Sequence, residues 1–387
     1  MRLIILSVVL LGCLMACSDN KQINSKRATD TLDSIYVHYS VEESILLKEH
    51  YPFDKDYSAT YLAAEDQNSG SERYAYLWPF SGTLSALSAI MELSEESKYN
   101  EILNDKVLKG LEKYFDTSRL PYGYSSYINE ALPSDRFYDD NIWLGIDFVD
   151  LYLLTGSSEY LSKAKLIWKF VESGEDEILG GGIYWCEQKK ASKNTCSNAP
   201  ASVLALKLYQ ATDNQYFLIK GKDLYSWTKQ NLQDEEDALY FDNISTEGHV
   251  SKAKYAYNSG QMLQSAAIQY NLTGDSLFLT EAQRIASACF DQFFYEFVTS
   301  DQEKIRLLKN RDIWFSAVML RGFIELYHID GNPKYINAFK KSLDMAWEKG
   351  RDVHGLFGDD LIKVSKGKKW LLTQAAMVEM YARLAKI

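Results

Sequence analysis

The chain has 387 residues, a formal net charge of −11 and a pI near 5.1. This acidic balance argues against a nucleic-acid partner, because nucleic-acid-binding surfaces require clustered Lys and Arg. Aromatic residues make up 13% of the chain, and such side chains both fill helical interfaces and line carbohydrate sites. The five His residues form no HxxxH pair and the cysteines form no CxxC pair. The sequence therefore predicts neither a metal site nor a cofactor.

The N-terminal apolar run, which follows one positive charge and ends at Ala16, predicts a secretory signal over residues 1–16 that is too short to span a bilayer. It ends in the letters LMAC, which resemble the bacterial lipobox, so we expect Cys17 to be lipidated. The alternative is ordinary cleavage after Ala16, with Cys17 as a free thiol. The polar residues that follow predict a flexible tether over 17–30 and a catalytic domain over 31–387. The expected location is lipid-anchored, at the outer membrane and cell surface or at a periplasmic face.

Three cysteines, Cys186, Cys196 and Cys289, remain beyond the predicted anchor and allow at most one disulfide bond. Cys186 and Cys196 close a short loop and are the plausible pair in an oxidising compartment. Two buried free thiols agree with the sequence equally well.

A helical repeat runs through the chain. Five times, an apolar helix is followed by a turn of small or acidic residues and by a second helix that opens with Tyr or Phe. The turn residues are Ser94, Thr155, Thr212, Thr273 and Asp330. The intervals between them are 61, 57, 61 and 57 residues, too long for the roughly 34-residue tetratricopeptide unit. The period favours a closed toroid, so we expect an all-α fold, an (α/α)6 barrel of six helical hairpins, in a monomer.

Two adjacent carboxylates, Asp139 and Asp140, lie among aromatic residues in the stretch RFYDDNIW, residues 136–143. Cleavage of a glycosidic bond uses a pair of Asp or Glu, one as acid and one as nucleophile or base. A competing interpretation is helix capping, because Asp and Asn are favoured at helix N-termini. Asp359 and Asp360 form a second such pair with no aromatic-rich helix after it. The dipeptide alone therefore does not establish a site.

Four longer stretches, spaced as the repeat requires, give the pair its context. They are WPFSGTLSAL (78–87), YDDNIWLGIDFVDLYLLTG (138–156), GGIYWCEQKKASKNTCSNAPASVLALKLYQAT (181–212) and KYAYNSGQMLQSAAIQYNLTGD (254–275). Together they resemble glycoside hydrolase family 76, the endo-α-1,6-mannanases, over almost all of the expected mature length.

The resemblance implies a retaining double displacement in which Asp139 is the nucleophile and Asp140 the acid/base. Neighbouring carboxyl groups suit this assignment, because two close carboxylates cannot both ionise easily and one of them stays a proton donor. The helix N-terminus favours charge on the other.

The resemblance also suggests a set of residues that contact the substrate. They are Trp78, Tyr138, Asn141, Trp185, Asn198, Asp242, Tyr257, Asn258 and Trp314. Several have a plain structural alternative: Asn141 as a cap, Asp242 as a loop acid, Tyr257 and Trp78 as packing. The chain also departs from the family pattern at Ser259, where Gln is usual, and over residues 311–315.

The expected function is therefore an endo-α-1,6-mannanase whose partner is a polysaccharide or oligosaccharide of α-mannan. Two alternatives stay open. One keeps the barrel and changes the reaction, as in an unsaturated glucuronyl hydrolase, which the tandem Asp pair argues against, or in a transglycosylase. The other is a non-catalytic glycan-binding lipoprotein of the starch-utilisation type, which has tetratricopeptide repeats and needs no acid pair.

Overall fold

Inner and outer helices alternate along the chain in this computed structural model, which describes residues 21–54, 57, 59–63, 73–309 and 312–387. The inner helices are α2 (Leu77–Met91), α4 (Tyr138–Thr155), α6 (Thr195–Thr212), α8 (Ala256–Thr273), α10 (Ile313–Asp330) and α12 (Leu371–Ala385). The outer helices are α1 (21–38), α3 (Ser97–Ile102, continued through the π-helical Leu103–Leu108 to Lys109–Leu111), α5 (Ser158–Glu172), α7 (Gln215–Leu232), α9 (Ser276–Phe293) and α11 (Lys334–Met345, continued as the π-helical Ala346–Gly350).

The inner helices form a closed ring, since each packs against the next and α12 packs against α2. Their burial explains the two layers. In α6 every residue from Thr195 to Leu208 is buried, as expected for a helix that is covered on all sides. In α9 the buried residues Ala282, Ile285, Ala286 and Cys289 follow one face, which is typical of an outer helix. The predicted (α/α)6 barrel is confirmed.

The repeat found in the sequence marks the ends of the inner helices. Thr155, Thr212 and Thr273 each end an inner helix, and each hydroxyl donates to a carbonyl four residues earlier. Gly156 follows with φ of 73°, a left-handed conformation in which a Cβ is disfavoured. The next helix can then start almost at once.

Helix α1 differs from the prediction. Residues 21–30 were expected to be a flexible tether, yet the described chain is helical from 21 to 38. Ala28, Leu32 and Ile35 are fully buried along one face, and Arg27 donates to Asp344 over 2.5 Å. The tether prediction is therefore wrong for 21–30, because these residues supply the sixth outer helix of the barrel.

The predicted signal over 1–16, the lipidation site Cys17 and the remaining tether residues lie outside the described residues. No helix in the described part of the chain is long and apolar enough to cross a membrane. Cys186, Cys196 and Cys289 are buried free thiols.

Short antiparallel strands occupy the loops that lead from outer to inner helices. They pair as β1 (His50–Tyr51) with β9 (Lys369–Trp370), β2 (Phe115–Asp116) with β3 (Gly123–Tyr124), β4 (Ser192–Asn194) with β5 (Phe241–Ser245), β5 with β6 (Val250–Lys254), and β7 (Phe294–Val298) with β8 (Lys304–Leu308). Because β4 and β9 run directly into α6 and α12, these strands gather at the N-terminal ends of the inner helices.

Candidate active site

A cleft of about 540 Å³ opens where the N-terminal ends of the inner helices converge. Seven of the residues predicted from the sequence line it. They are Trp78, Asp139, Asp140, Trp185, Asp242, Tyr257 and Trp314.

The helical register explains why these residues meet. The second residue of an inner helix lines the cleft in five of the six cases. Those residues are Trp78, Asp139, Cys196, Tyr257 and Trp314. Because the inner helices have the same rotational orientation within the ring, the same position of each helix faces the axis of the barrel. Cys196 was not predicted as a site residue, although its place in the repeat would have indicated it.

The acid pair consists of the second and third residues of α4. One oxygen of Asp139, Oδ2, accepts a hydrogen bond from the Trp185 indole N–H over 3.2 Å. Burial raises the pKa of Asp139 to about 6, and the neighbouring thiol of Cys196, backbone N–H groups and Trp185 partly offset that rise. Burial, followed by the charge on Asp139, raises the pKa of Asp140 well above its ordinary value. Near neutral pH the pair thus holds one negative charge, on Asp139, and one proton, on Asp140.

Aromatic rings form the walls and floor of the cleft. Trp78 makes edge contacts with Trp314 and Trp370, with ring centroids 5.4 and 5.2 Å apart. Trp143 meets Trp314 at 5.1 Å. Trp143 and Trp314 are 3% and 4% exposed and therefore serve mainly as floor, whereas Trp78 is only half-buried and keeps part of its ring free.

Asp242 and Tyr257 lie on the α8 side of the cleft. Asp242 accepts from the Asn243 amide over 2.8 Å, and burial raises its pKa. The Tyr257 ring stacks on Phe315 at 4.1 Å. Asn258 is fully buried behind them and is not part of the lining, although its amide lowers the pKa of Asp242. Its predicted role as a direct substrate contact is not met.

Three further predictions are corrected by the packing around the cleft. Tyr138 points away from the cleft and stacks on Phe170, with ring centroids 4.8 Å apart. Asn141 is fully buried; its amide accepts from the N–H of Tyr124 over 2.7 Å and donates to the carbonyls of Tyr124 and Phe137. All its polar atoms are thereby committed to the backbone.

Asn198 makes the same three bonds one repeat later. Its amide accepts from the N–H of Ile183 over 2.6 Å and donates to the carbonyls of Ile183 and Asn194. Asn141 and Asn198 are both the fourth residue of an inner helix, and each fastens that helix to the strand segment before it. Tyr138, Asn141 and Asn198 therefore hold the segments around the cleft in place but do not line it.

Seven aromatic residues of the lining were not predicted: Tyr61, Tyr76, Phe137, Trp143, Tyr255, Phe315 and Trp370. Of these, Tyr61 and Trp370 come from the connections between helices, where the repeat carries no signal. Among the described residues, no group of three or more His, Cys, Asp or Glu could hold a metal ion.

A closed ring of six helical pairs with two adjacent carboxyl groups among aromatic rings defines an (α/α)6 barrel of the glycoside hydrolase class. The sequence profile of glycosyl hydrolase family 76 matches residues 50–307, and the chain belongs to that family. A solved family 76 glycoside hydrolase (mannosidase) from Bacteroides thetaiotaomicron, Bt3792, is similar with a TM-score of 0.84 and 34% identity, covering 94% of this chain and 98% of that one.

One more distant solved structure shares the fold, and two further relatives are similar in sequence. An α-1,6-mannanase of Salegentibacter sp. superposes with a TM-score of 0.75 at 23% identity, covering 94% of this chain and 99% of that one. The mannan endo-1,6-α-mannosidase DCW1 of Candida glabrata is 30% identical over 27% of this chain and 25% of its own length. A Schizosaccharomyces pombe relative is 23% identical over 57% of this chain. This chain spans about half the length, 51%, of that relative.

Proposed function

We propose that the chain is an endo-α-1,6-mannanase that cleaves the backbone of α-mannan with retention of configuration. The observation that carries the proposal is the geometry of the pair: Asp139 and Asp140 lie side by side in the first turn of α4 and line an aromatic cleft, where burial raises the pKa of both carboxyls. Support comes from the Salegentibacter mannanase, whose variant inactivated at two consecutive aspartates was solved with α-1,6-mannotriose. The Candida glabrata relative carries the name mannan endo-1,6-α-mannosidase.

The reaction proceeds in two displacements. In the first, Asp140 gives its proton to the glycosidic oxygen while a carboxylate oxygen of Asp139 attacks the anomeric carbon, so the glycosidic bond breaks and a glycosyl ester forms. In the second, Asp140, now ionised, takes a proton from water, whose oxygen attacks the same carbon and releases Asp139 as carboxylate. The N–H of Trp185 donates to Asp139 and so holds that carboxylate in place for attack on the anomeric carbon.

The test uses the chain from residue 21, which keeps α1, with linear α-1,6-mannan. We expect new reducing ends, and products that first appear as the α-anomer by NMR. Asp139→Asn should abolish hydrolysis because an amide cannot form the ester. Asp140→Asn should lower the rate by about 10² to 10⁴ on mannan. On an aryl mannoside whose leaving group needs no proton, its glycosylation step should be partly rescued, and azide should replace the water that Asp140 no longer activates. Loss of less than tenfold in either variant on mannan, or a β-anomeric first product, would contradict the mechanism.

We further propose that Cys17 carries a lipid anchor, supported by the LMAC motif. Helix α1 starts by residue 21, so the acylated residue stands at most about 14 Å of chain from the domain. The end of α1 lies at the cleft side, because the Tyr39 hydroxyl donates to the carbonyl of Lys369 in β9. Its start is roughly 27 Å away along the helix axis. An anchor there leaves the cleft facing away from the membrane, toward a polysaccharide.

A further inference from the structure

One buried carboxylate outside the helical repeat holds together several residues of the cleft. Glu49, which directly precedes β1, is only 5% exposed. Its Oε1 atom accepts hydrogen bonds from the hydroxyls of Tyr57 and Tyr61, over 2.9 and 2.6 Å, and from the indole N–H of Trp370, over 3.1 Å. Its Oε2 atom accepts from the backbone N–H of Tyr76 over 2.9 Å. Four donors from three separate segments thus converge on a single side chain.

Two of these donors belong to the wall of the cleft. Tyr61 and Trp370 line it, and each makes an edge contact with Trp78 at a centroid distance of 5.2 Å. Tyr61 comes from a connection without regular structure. Neither the ring of inner helices nor a strand ladder fixes its position. Its ring packs on Tyr76, Trp78 and Trp370, and its hydroxyl bond to Glu49 over 2.6 Å ties it to the segment before β1.

The cluster suits a carboxylate: burial raises the pKa of Glu49, and the four donated hydrogen bonds oppose that rise by favouring the ionised form. All four partners donate, so the group at the centre must accept at every position, and an ionised carboxylate offers about four lone-pair sites on two oxygens. A Gln side chain would place an N–H₂ group against the N–H of Tyr76 or against the hydroxyls and indole. Hydrogen bonds to a charged acceptor are roughly twice as strong as neutral ones, which favours a fixed wall over a mobile one.

The wall formed by Tyr61, Trp78 and Trp370 lies on one side of the acid pair. Trp78 begins α2 and Trp370 precedes α12, whereas Trp185 and Asp242 lie toward α6 and α8. In the ring of inner helices, α4 with its Asp139 stands between α2 and α6. A sugar chain that crosses the pair therefore meets aromatic groups on both sides.

We propose that Glu49 is a positioning residue that fixes Tyr61, Trp370 and Trp78 as a sugar-binding subsite on the α2 side of the acid pair. This inference rests on the proposed mannanase function and adds to it a subsite used only by a longer mannan chain. Glu49 acts through the aromatic rings and does not touch the reacting atoms.

The experiment compares Glu49→Gln and Tyr61→Phe with the wild type on two substrates, α-1,6-mannan and an aryl α-mannoside with an activated leaving group. We expect kcat/KM on mannan to fall about tenfold or more in Glu49→Gln, mainly through KM, since the lost bonds are to a charged acceptor. Tyr61→Phe, which keeps the ring and loses one bond, should show a smaller rise in KM. On the aryl mannoside Glu49→Gln should stay within about threefold of wild type, because a substrate with one sugar ring uses fewer subsites than the mannan chain.

A matched control is Glu379→Gln. Glu379 is 1% exposed and binds Arg321 and Arg383 within the barrel, so this variant loses a buried carboxylate remote from the wall and should lower Tm without raising KM on mannan. Equal losses on both substrates in Glu49→Gln, or an unchanged KM on mannan in both Glu49→Gln and Tyr61→Phe, would overturn the proposal. If the wild type cleaves neither substrate, the mannanase function itself fails, which is a separate outcome.

Discussion

Asn198 provides the sharpest test of how the site is built, because the family resemblance suggests a substrate contact there and the structure shows a clamp. Asn198→Ala removes three hydrogen bonds, of 2.6, 2.9 and 2.8 Å, and leaves buried backbone groups of Ile183 and Asn194 without those partners. At about 0.5 to 1.5 kcal/mol net for each bond, the free energy of unfolding should fall by about 2 to 4 kcal/mol. With about 2.1 cal/mol/K of unfolding entropy per residue, this lowers Tm by about 3 to 5 °C.

The matched variant is Ser259→Ala. Ser259 is the fourth residue of α8 and accepts one bond, from the N–H of Tyr240 over 3.1 Å, so the expected loss is about one third of that for Asn198→Ala. Tm is measured by calorimetry at one scan rate, and KM on mannan is measured at a temperature where each variant is folded. A normal Tm together with a raised KM in Asn198→Ala would refute the clamp and restore the substrate contact.

Further predictions concern the acid pair and the N-terminus. Asp139 must be ionised to attack, and its pKa is raised to about 6, so kcat/KM should fall as the pH drops through about 6. At higher pH kcat/KM should also fall, because Asp140 loses its proton. A flat kcat/KM profile from pH 5 to 7 would contradict this. Burial raises the folded-state pKa of Asp140, and a carboxyl shifted in this way destabilises the fold above its unfolded pKa. Asp140→Asn should therefore melt at the same temperature as wild type or higher at pH 7, and a lower Tm would contradict this. Removing residues 21–30 should lower Tm by more than Asn198→Ala does, because half of an outer helix is lost; an unchanged Tm would favour the tether. Cys17→Ala should move the full-length protein from the detergent phase to the aqueous phase, and wild type already in the aqueous phase would disprove the anchor.

The barrel was predictable because its signal is periodic. Thr155, Thr212 and Thr273 end helices in the structure as the sequence spacing required. Helix α1 was missed for a local reason: the first residues of the described helix, 21–27, are polar except for the exposed Ile23, and its buried positions Ala28 and Leu32 lie on either side of the boundary placed at residue 30. An outer helix buries only one face, so a polar start resembles a tether until its partner helices are known.

The site was predictable where it follows the repeat, and not where it depends on connections. Asp139 lies within a recognisable sequence motif, and Cys196 is the second residue of its inner helix, as Asp139 is. Glu49 and Tyr61 lie between helices, where the repeat carries no signal, and Trp370 joins them because β1 pairs with β9. Their side chains gave no pattern from which this contact could be inferred.

The correction at Asn141 and Asn198 has a geometric cause that applies to every inner helix. Successive residues of an α-helix are about 100° apart, so the second and fourth residues point about 200° apart, to opposite sides. When Asp139 faces the cleft, Asn141 must face back toward the strand segment at Tyr124, and there it makes its bonds. The same register gives Gln374, the fourth residue of α12, its two bonds to the backbone of Phe357. Neighbouring residues of one motif thus have different roles. A residue on the side of the helix that faces the cleft can take part in the reaction, whereas a residue on the opposite side holds the helix in place.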